Sequence, residues 1–436
     1  MRNWPYIEMP ADVCWILDQL HSAGYEAYIV GGCVRDSLLL LIPHDWDICT
    51  SAKPDEILDV FKTQKTIQTG IKYGTITLVL DNKAYEITTY RIDGKYSDGR
   101  HPDKVEYTSA LTKDLGRRDF TINAMAYNDE DGLVDPFNGL RDLFNKTLRC
   151  VGSACDRFAE DELRRFRAIR FALKYQLTFD PDLETNLLLK CGGRLSKLSS
   201  ERVQSEVTRI LELYPLLVPS LEHAYNLFAA LQFLLVDHFV GQLYRSALTP
   251  VYEIYRQLMA SGDCLSLKLA ILFRKEDNVE AILRHLKYSN KVIHKVLSIL
   301  ALLDDPLMTG VCVKKTPTDY RITQRILQRY PPNIVIHVCD FYSQLYPEVL
   351  WFRVLVSKVS SIDPAINPYQ IAHLKINGND LQELGIQGKD IGKMLQHLLD
   401  KCIMGQVKNN REDLLRLAND YVEMILNRQR SYINGI

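Results

Sequence analysis

The period of the hydrophobic positions changes near residue 150. Before it, period-two alternation is mixed with short helical stretches, and EAYIVGG (26–32), DWDICT (45–50), GTITLVLD (74–81) and AYEITTYRI (84–92) read as strands. DEILDVF (55–61) predicts a short helix, with Ser51 as its cap. From CDRFAEDELRRFRAIRFALKY (155–175) onward the apolar residues recur at three and four, which predicts a remainder that is nearly all helical. Pro215, Pro219, Pro250, Pro306, Pro317 and the segments RYPPN and SSIDPAINPYQ mark the loops between those helices. The fold class expected is α+β: a small mixed-sheet head over 1–150, then an all-helical neck (151–215), body (216–345) and tail (346–436). A chain of 436 residues accommodates such a division, at about 150 residues per domain.

Composition narrows the class. Hydrophobic residues make up 47% and charged residues 25%, as in ordinary globular proteins. No run of about 18 apolar residues is present to span a bilayer, and the N-terminus lacks the charged and apolar regions of a secretory signal. A cytoplasmic protein without a membrane partner is expected, and no protein partner is evident. The ten cysteines are scattered, with Cys150 and Cys155 the closest pair, and none has zinc spacing, so reduced and mostly buried thiols are expected. The net charge of -1 says nothing for nucleic-acid binding as a whole-chain property and hides an asymmetry. Residues 281–330 carry nine Lys or Arg against three acids. Within them, RITQRILQR puts Arg321, Arg325 and Arg329 at i, i+4, i+8, one helical stripe that either follows RNA phosphates or is a solvated face.

Candidate chemistry sits in the head. In an extended PHDWDICTSA segment, Asp45 and Asp47 point to one side while Trp46 and Ile48 point to a core. Two like charges on one face suit a divalent cation bound by hard oxygen ligands, Mg²⁺ being the expected cofactor, although a DxD alone is too common to decide. Just upstream, YIVGGCVRDSLLLL runs from a strand through Gly31 and Gly32 into an apolar helix with Arg35 one turn in. Glycines there let backbone N–H groups approach an anion at the helix N-terminus, which describes a phosphate cradle or only a tight turn. Glu86, on the AYEITTYRI strand, is the candidate third carboxylate, with a solvated strand acid as the other reading.

Taken together and in order, GGCVRD (31–36), HDWDICT (44–50), GRRDFTINAMAY (116–127), DPFNGLRDL (135–143), EDELRRFRAIRFA (160–172) and LSSERVQSEVTRIL (198–211) resemble the class II tRNA nucleotidyltransferase and bacterial poly(A) polymerase superfamily. INGNDLQELGIQGKDIGKMLQHLLDKCIMGQVKNNREDLL (376–415) looks like the tail of bacterial CCA-adding enzymes, so the resemblance covers nearly the whole chain. It implies that the head is a nucleotidyltransferase domain in which a primer 3′-hydroxyl attacks the α-phosphate of a nucleoside triphosphate and releases pyrophosphate. It further implies that Asp45 and Asp47 hold Mg²⁺, that Asp119 accepts from the ribose 2′-hydroxyl, and that Arg118 and Asn123 contact sugar and phosphates. Leu40 and Leu41 depart from the pattern, because the family usually carries a Gly-basic pair there.

The EDELRRFR motif supplies the implied base selection. Asp161 and Arg164, three apart on a predicted helix, would share a face, with Glu160 pinning the arginine and Arg167 completing the nucleotide-binding set. Cytosine and adenine each present an amino donor beside a ring-nitrogen acceptor, which a carboxylate and a guanidinium complement, whereas guanine and uracil clash. An i, i+3 salt bridge on a solvated helix fits the same spacing. The expected activity is template-independent addition of CCA to tRNA 3′ ends from CTP and ATP, with tRNA as partner. A-only addition, poly(A) polymerisation and a catalytically silent RNA-binding protein stay open. The polar, glycine-bearing segment 91–109 reads as a mobile loop able to reshape the pocket between C and A addition.

Overall fold

The computed structural model describes residues 5–94, 105–188, 198–213, 221–239, 251–309 and 320–433. The chain forms two compact units: one contains residues 1–251 together with the short stretches 276–278 and 285–287, and the other contains 252–275, 279–284 and 288–436. Among the described residues, no helix is long and apolar enough to cross a membrane, and the eight cysteines are free thiols. The core of the 91–109 loop, residues 95–104, lies outside the described residues.

In the first unit, helix α1 (Ala11–Ser22) precedes β1 (Ala27–Val30), α2 (Gly32–Leu38), β2 (Ile48–Thr50), α3 (Pro54–Val60), β3 (Lys65–Ile67), β4 (Thr75–Leu80) and β5 (Lys83–Thr89). Then come β6 (Arg91–Asp93), β7 (Val105–Tyr107), α4 (Leu111–Gly116), β8 (Ala126–Asn128), β9 (Gly132–Val134), α5 (Gly139–Phe144) and β10 (Thr147–Leu148). Seven strands form one mixed sheet in the order β3-β4-β5-β2-β1-β8-β9, in which β2 and β5 are parallel and the other pairs antiparallel. All four residues of β1 are buried, as expected of a strand covered on both faces. Tyr28, Val30, Cys49, Tyr90, Leu115 and Ala126 belong to one core cluster that joins β1, β2 and β8 to α4.

Three local expectations are corrected. The strand begins at Ile48, after the acids: the Val30 N–H donates to the Asp47 carbonyl at 2.9 Å and the ladder then runs from Ile29↔Ile48, so Asp45 and Asp47 precede it and Trp46 is half-buried rather than in the core. Helix α3 starts at Pro54, capped by Lys53, whose N–H donates to Glu56, while the Ser51 hydroxyl accepts from the Glu26 N–H at 3.0 Å. AYEITTYRI is two strands, because β6 leaves the large sheet to pair with β7.

Beyond β10 the unit continues with α6 (Ala154–Glu160), α7 (Leu163–Tyr175), β11 (Thr178–Phe179), α8 (Pro181–Leu187), α9 (Ser200–Glu212) and α10 (Leu221–Phe239). The short parallel β10–β11 pair is the exception to the helical expectation. The second unit is helical: α11 (Val251–Ala260), α12 (Leu265–Phe273), α13 (Val279–His285, which straddles the division), α14 (Asn290–Leu303), α15 (Pro306–Thr309), α16 (Arg321–Arg329), α17 (Pro332–Leu345), α18 (Leu350–Ser361), α19 (Gly378–Glu383), α20 (Lys389–Ile403) and α21 (Arg411–Ile433). Its last three helices close over their own core of Leu381, Leu398, Leu399 and Leu414.

Candidate active site

The β1–α2 turn is built around Gly31. Its φ of 80° is a conformation that an L side chain rarely adopts, and a Cβ there would lie 2.9 Å from Nη1 of Arg118. Glycine therefore lets the arginine close onto the turn. Arg118 also lies near Asp47 and reaches Oδ2 of Asp114 at 3.4 Å. Its buried Nε has no hydrogen-bond partner in this state. Arg35 takes a different course from a phosphate contact: it is buried, pairs with Asp36 at 2.7 Å, stacks 4.4 Å over Tyr175 and donates to Oδ1 of Asn123.

The parallel pairing of Ile48 with Ile87 carries Asp47 and Glu86 to neighbouring positions one residue before each. Glu86 is exposed, as the strand alternation predicts. Asp47 also has an exposed surface but is closely hemmed by protein. Desolvation raises its carboxyl above the usual range, opposed by Arg118 and reinforced by Glu86 and Asp45. Asp45 is further out, with Oδ1 at 2.9 Å from Nδ1 of His44. Among the described residues, no three candidate ligands already close into a cage. Carboxylate oxygens on an open rim nevertheless fit Mg²⁺, which uses one or two protein carboxylates and completes its shell with water and substrate phosphates.

A second set of charges lies deeper. Asp119 accepts from the Phe120 N–H at 2.8 Å, from Nδ2 of Asn123 at 2.9 Å, and from Nε and Nη2 of Arg167 at 2.9 and 2.6 Å. Four donors fill the acceptor capacity of a carboxylate. Burial pushes its carboxyl up, but Arg167, the Asn123 amide and Arg164 overcome that and hold it well below the usual carboxylate range. A ribose hydroxyl would have to displace one of these donors.

The expected continuous helix through Asp161 and Arg164 is corrected. Helix α6 ends at Glu160, Asp161 is extended (φ -148°, ψ 102°), and α7 starts at Leu163. Asp161 accepts from the Leu163 N–H at 3.1 Å, a local bond that competes with helix continuation. The two residues thus meet at a junction between helices instead of along one face. Glu160 pairs with Arg164 at 2.6 Å, and Arg164 also donates to the carbonyls of Arg157 at 3.1 Å and Arg117 at 3.2 Å. Asp161 is gripped at 2.7 Å by Arg202 of α9. The sequence reading did not single out Arg202 or Asp114. Arg202 stands in a quoted motif, but its partner is 41 residues away, beyond any local spacing rule.

Curated relatives match along most of their length. A CCA-adding enzyme of Ligilactobacillus salivarius is 33% identical over 419 residues, covering 94% of this chain and 96% of that one. The chain belongs to the CCA-adding enzyme family. A CCA-adding enzyme of Lactobacillus gasseri is 32% identical over 397 residues, covering 91% of this chain and 93% of its own. Residues 27–149 match the family described as Poly A polymerase head domain, and residues 261–418 match tRNA nucleotidyltransferase domain 2. The structure of the Bacillus stearothermophilus CCA-adding enzyme in complex with CTP superposes with a TM-score of 0.71 at 28% identity, covering 97% of this chain and all of that one. Where this family member departs from the usual pattern, Leu40 takes the left-handed conformation that favours glycine (φ 58°) and is 94% exposed, with Leu41 and Ile42 exposed beside it.

In the second unit, α16 forms as its spacing predicts. Arg321, Arg325 and Arg329 are exposed along one side, over buried Ile326 and Leu327, and Arg329 is tied at 3.1 Å to Asp305.

Proposed function

We infer that the protein adds C, C and A to the 3′ end of tRNA, using CTP and ATP and releasing pyrophosphate. The observation that carries this is the alignment, in one compact unit, of an acid rim (Asp47 with Glu86 in register) beside the Gly31–Arg118 turn, followed by the Glu160–Arg164 and Asp161–Arg202 pairs at the α6–α7 junction. The full-length similarity to CCA-adding enzymes supports the same reading.

In this reading the Gly31–Gly32 turn and Arg118 hold the triphosphate, neutralising charge and aligning the α-phosphate. Mg²⁺, when bound by Asp45 and Asp47, would lower the pKa of the attacking hydroxyl and neutralise the triphosphate. Glu86 adds a third oxygen donor to the same rim. Asp119 sets the Asn123 amide and Arg167 in place beneath the sugar. Asp161 accepts from the exocyclic amine of cytosine or adenine, and Arg164 donates to the adjacent ring nitrogen. Guanine and uracil would leave both groups facing like polarity, a cost on the order of 1 to 3 kcal/mol per group. The α16 stripe contacts the tRNA backbone. A cytoplasmic location follows from this substrate.

Extension of three primers on a sequencing gel tests the reading. tRNA lacking CCA should gain three nucleotides with CTP and ATP and two with CTP alone. Extension only of tRNA lacking the terminal A would replace it by A addition, and long tails on oligo(A) by poly(A) synthesis.

A further inference from the structure

We propose that Asp114 is a positioning residue that sets Arg118 for the triphosphate and, through Arg117, the base-selecting Arg164. The proposal rests on the nucleotidyl-transfer reading above.

Asp114 lies in the short helix α4 and is completely buried. Buried carboxylates are stable only when paired and hydrogen-bonded, and this one is met from three directions. Arg117 donates to Oδ1 through Nε at 3.0 Å and Nη2 at 2.8 Å. The Arg91 N–H, at the start of β6, donates to the same oxygen at 3.2 Å. Arg118 takes the other oxygen at 3.4 Å. Each arginine then leads to a different part of the site. Arg118 closes over Gly31 beside Asp47, with its Nε still unpartnered. Arg117 offers its carbonyl to Nη2 of Arg164 at 3.2 Å, next to the Glu160 pair.

A single acid therefore ties the phosphate-facing and base-facing arginines to one fixed point. Burial pushes its carboxyl up, but Arg117 and Arg118 overcome that and hold it below the usual range, so both arginines face a charged partner at neutral pH. A purely structural acid would have no reason to affect triphosphate and base recognition together. A tether shared by both arginines does.

The test is a double-mutant cycle of Asp114→Asn and Arg118→Ala on tRNA extension, with inhibition by inorganic tripolyphosphate and the CTP:UTP ratio of kcat/KM measured alongside. Asp114→Asn keeps the shape and an acceptor for Arg91 but removes the charge. We expect KM for CTP to rise about tenfold, tripolyphosphate inhibition to weaken to the same extent, and the CTP:UTP preference to fall several-fold. In the Arg118→Ala background the effects on KM and inhibition should largely vanish, since coupled residues are non-additive. Additive effects, or unchanged tripolyphosphate inhibition and CTP:UTP ratio, would overturn the proposal. If Asp114→Asn does not yield folded protein, Asp114→Glu, which keeps the charge but displaces it by one methylene, carries the same cycle. Extension of tRNA by the wild type separates the two readings: its absence defeats the nucleotidyl-transfer assignment, while its presence with an additive cycle defeats this proposal alone.

Discussion

The acid rim of the head and its arginine-laced interior treat carboxylates in opposite ways. At the rim, desolvation together with Glu86 and Asp45 raises Asp47 above the usual carboxyl range, and Arg118 only partly offsets them. In the interior, Asp119 and Asp114 are buried more deeply yet held below that range, because arginines and N–H donors surround them. Burial alone would push both sets the same way; partners decide the sign. An acid short of cations is ready to receive one, whereas an acid saturated by protein donors is ready to hold its neighbours still. The rim is thus suited to metal and reacting groups, and the interior to positioning.

The largest expected effect is at the rim. Asp47→Ala should reduce nucleotide incorporation at least about a thousandfold, or ~4 kcal/mol, with an unchanged melting temperature, as judged by single-turnover assay and calorimetry. Near-normal incorporation would place Asp47 with the structural acids.

Asp119→Asn should do the reverse. Removing a buried partner of Arg167 is expected to lower stability by about 3 kcal/mol at neutral pH, measured by denaturant unfolding. The sign with pH follows from its lowered carboxyl: the stabilisation is present above the unfolded-state value and is lost as pH falls through the folded-state one. The gap between wild type and Asp119→Asn should therefore narrow below about pH 4. A gap that widens there would contradict the pairing.

A smaller change is expected at the α6–α7 junction. Arg164→Ala should cut the preference for CTP and ATP over UTP and GTP by about tenfold or more, on the order of 1 to 3 kcal/mol, while triphosphate affinity moves less. An equal loss of kcat/KM for all four nucleotides would reduce Arg164 to a brace between Glu160 and the Arg117 carbonyl.

Smallest is the effect of the α16 stripe. Replacing Arg321, Arg325 and Arg329 together by Gln should weaken tRNA binding and flatten the slope of log K against log salt by roughly two units. An unchanged slope would leave the stripe a solvated face.

The sequence made the rim more legible than the interior, and the reason is range. Period-two alternation placed Glu86 on an exposed strand position, and the parallel β2–β5 register, which no local pattern announces, put it beside Asp47. The change of period near residue 150 coincides with the passage from a strand-rich to a mostly helical part of the chain, and the i, i+4, i+8 spacing identified α16. The α6–α7 break escaped, because DELRRFR has helical periodicity throughout and only the Asp161 bond to the Leu163 N–H interrupts it. Arg202 and Asp114 escaped for different reasons. Arg202 finds its acid across 41 residues, while Asp114 is an unremarkable helical acid until its complete burial is seen.

Manganese binding in the presence of CTP, followed by electron paramagnetic resonance, tests the division between rim and interior most directly. Wild type and Asp119→Asn should both bind the ion, while Asp47→Asn should lose most of its affinity. Equal binding by Asp47→Asn and wild type, or loss confined to Asp119→Asn, would contradict the assignment of the rim as the metal-holding surface.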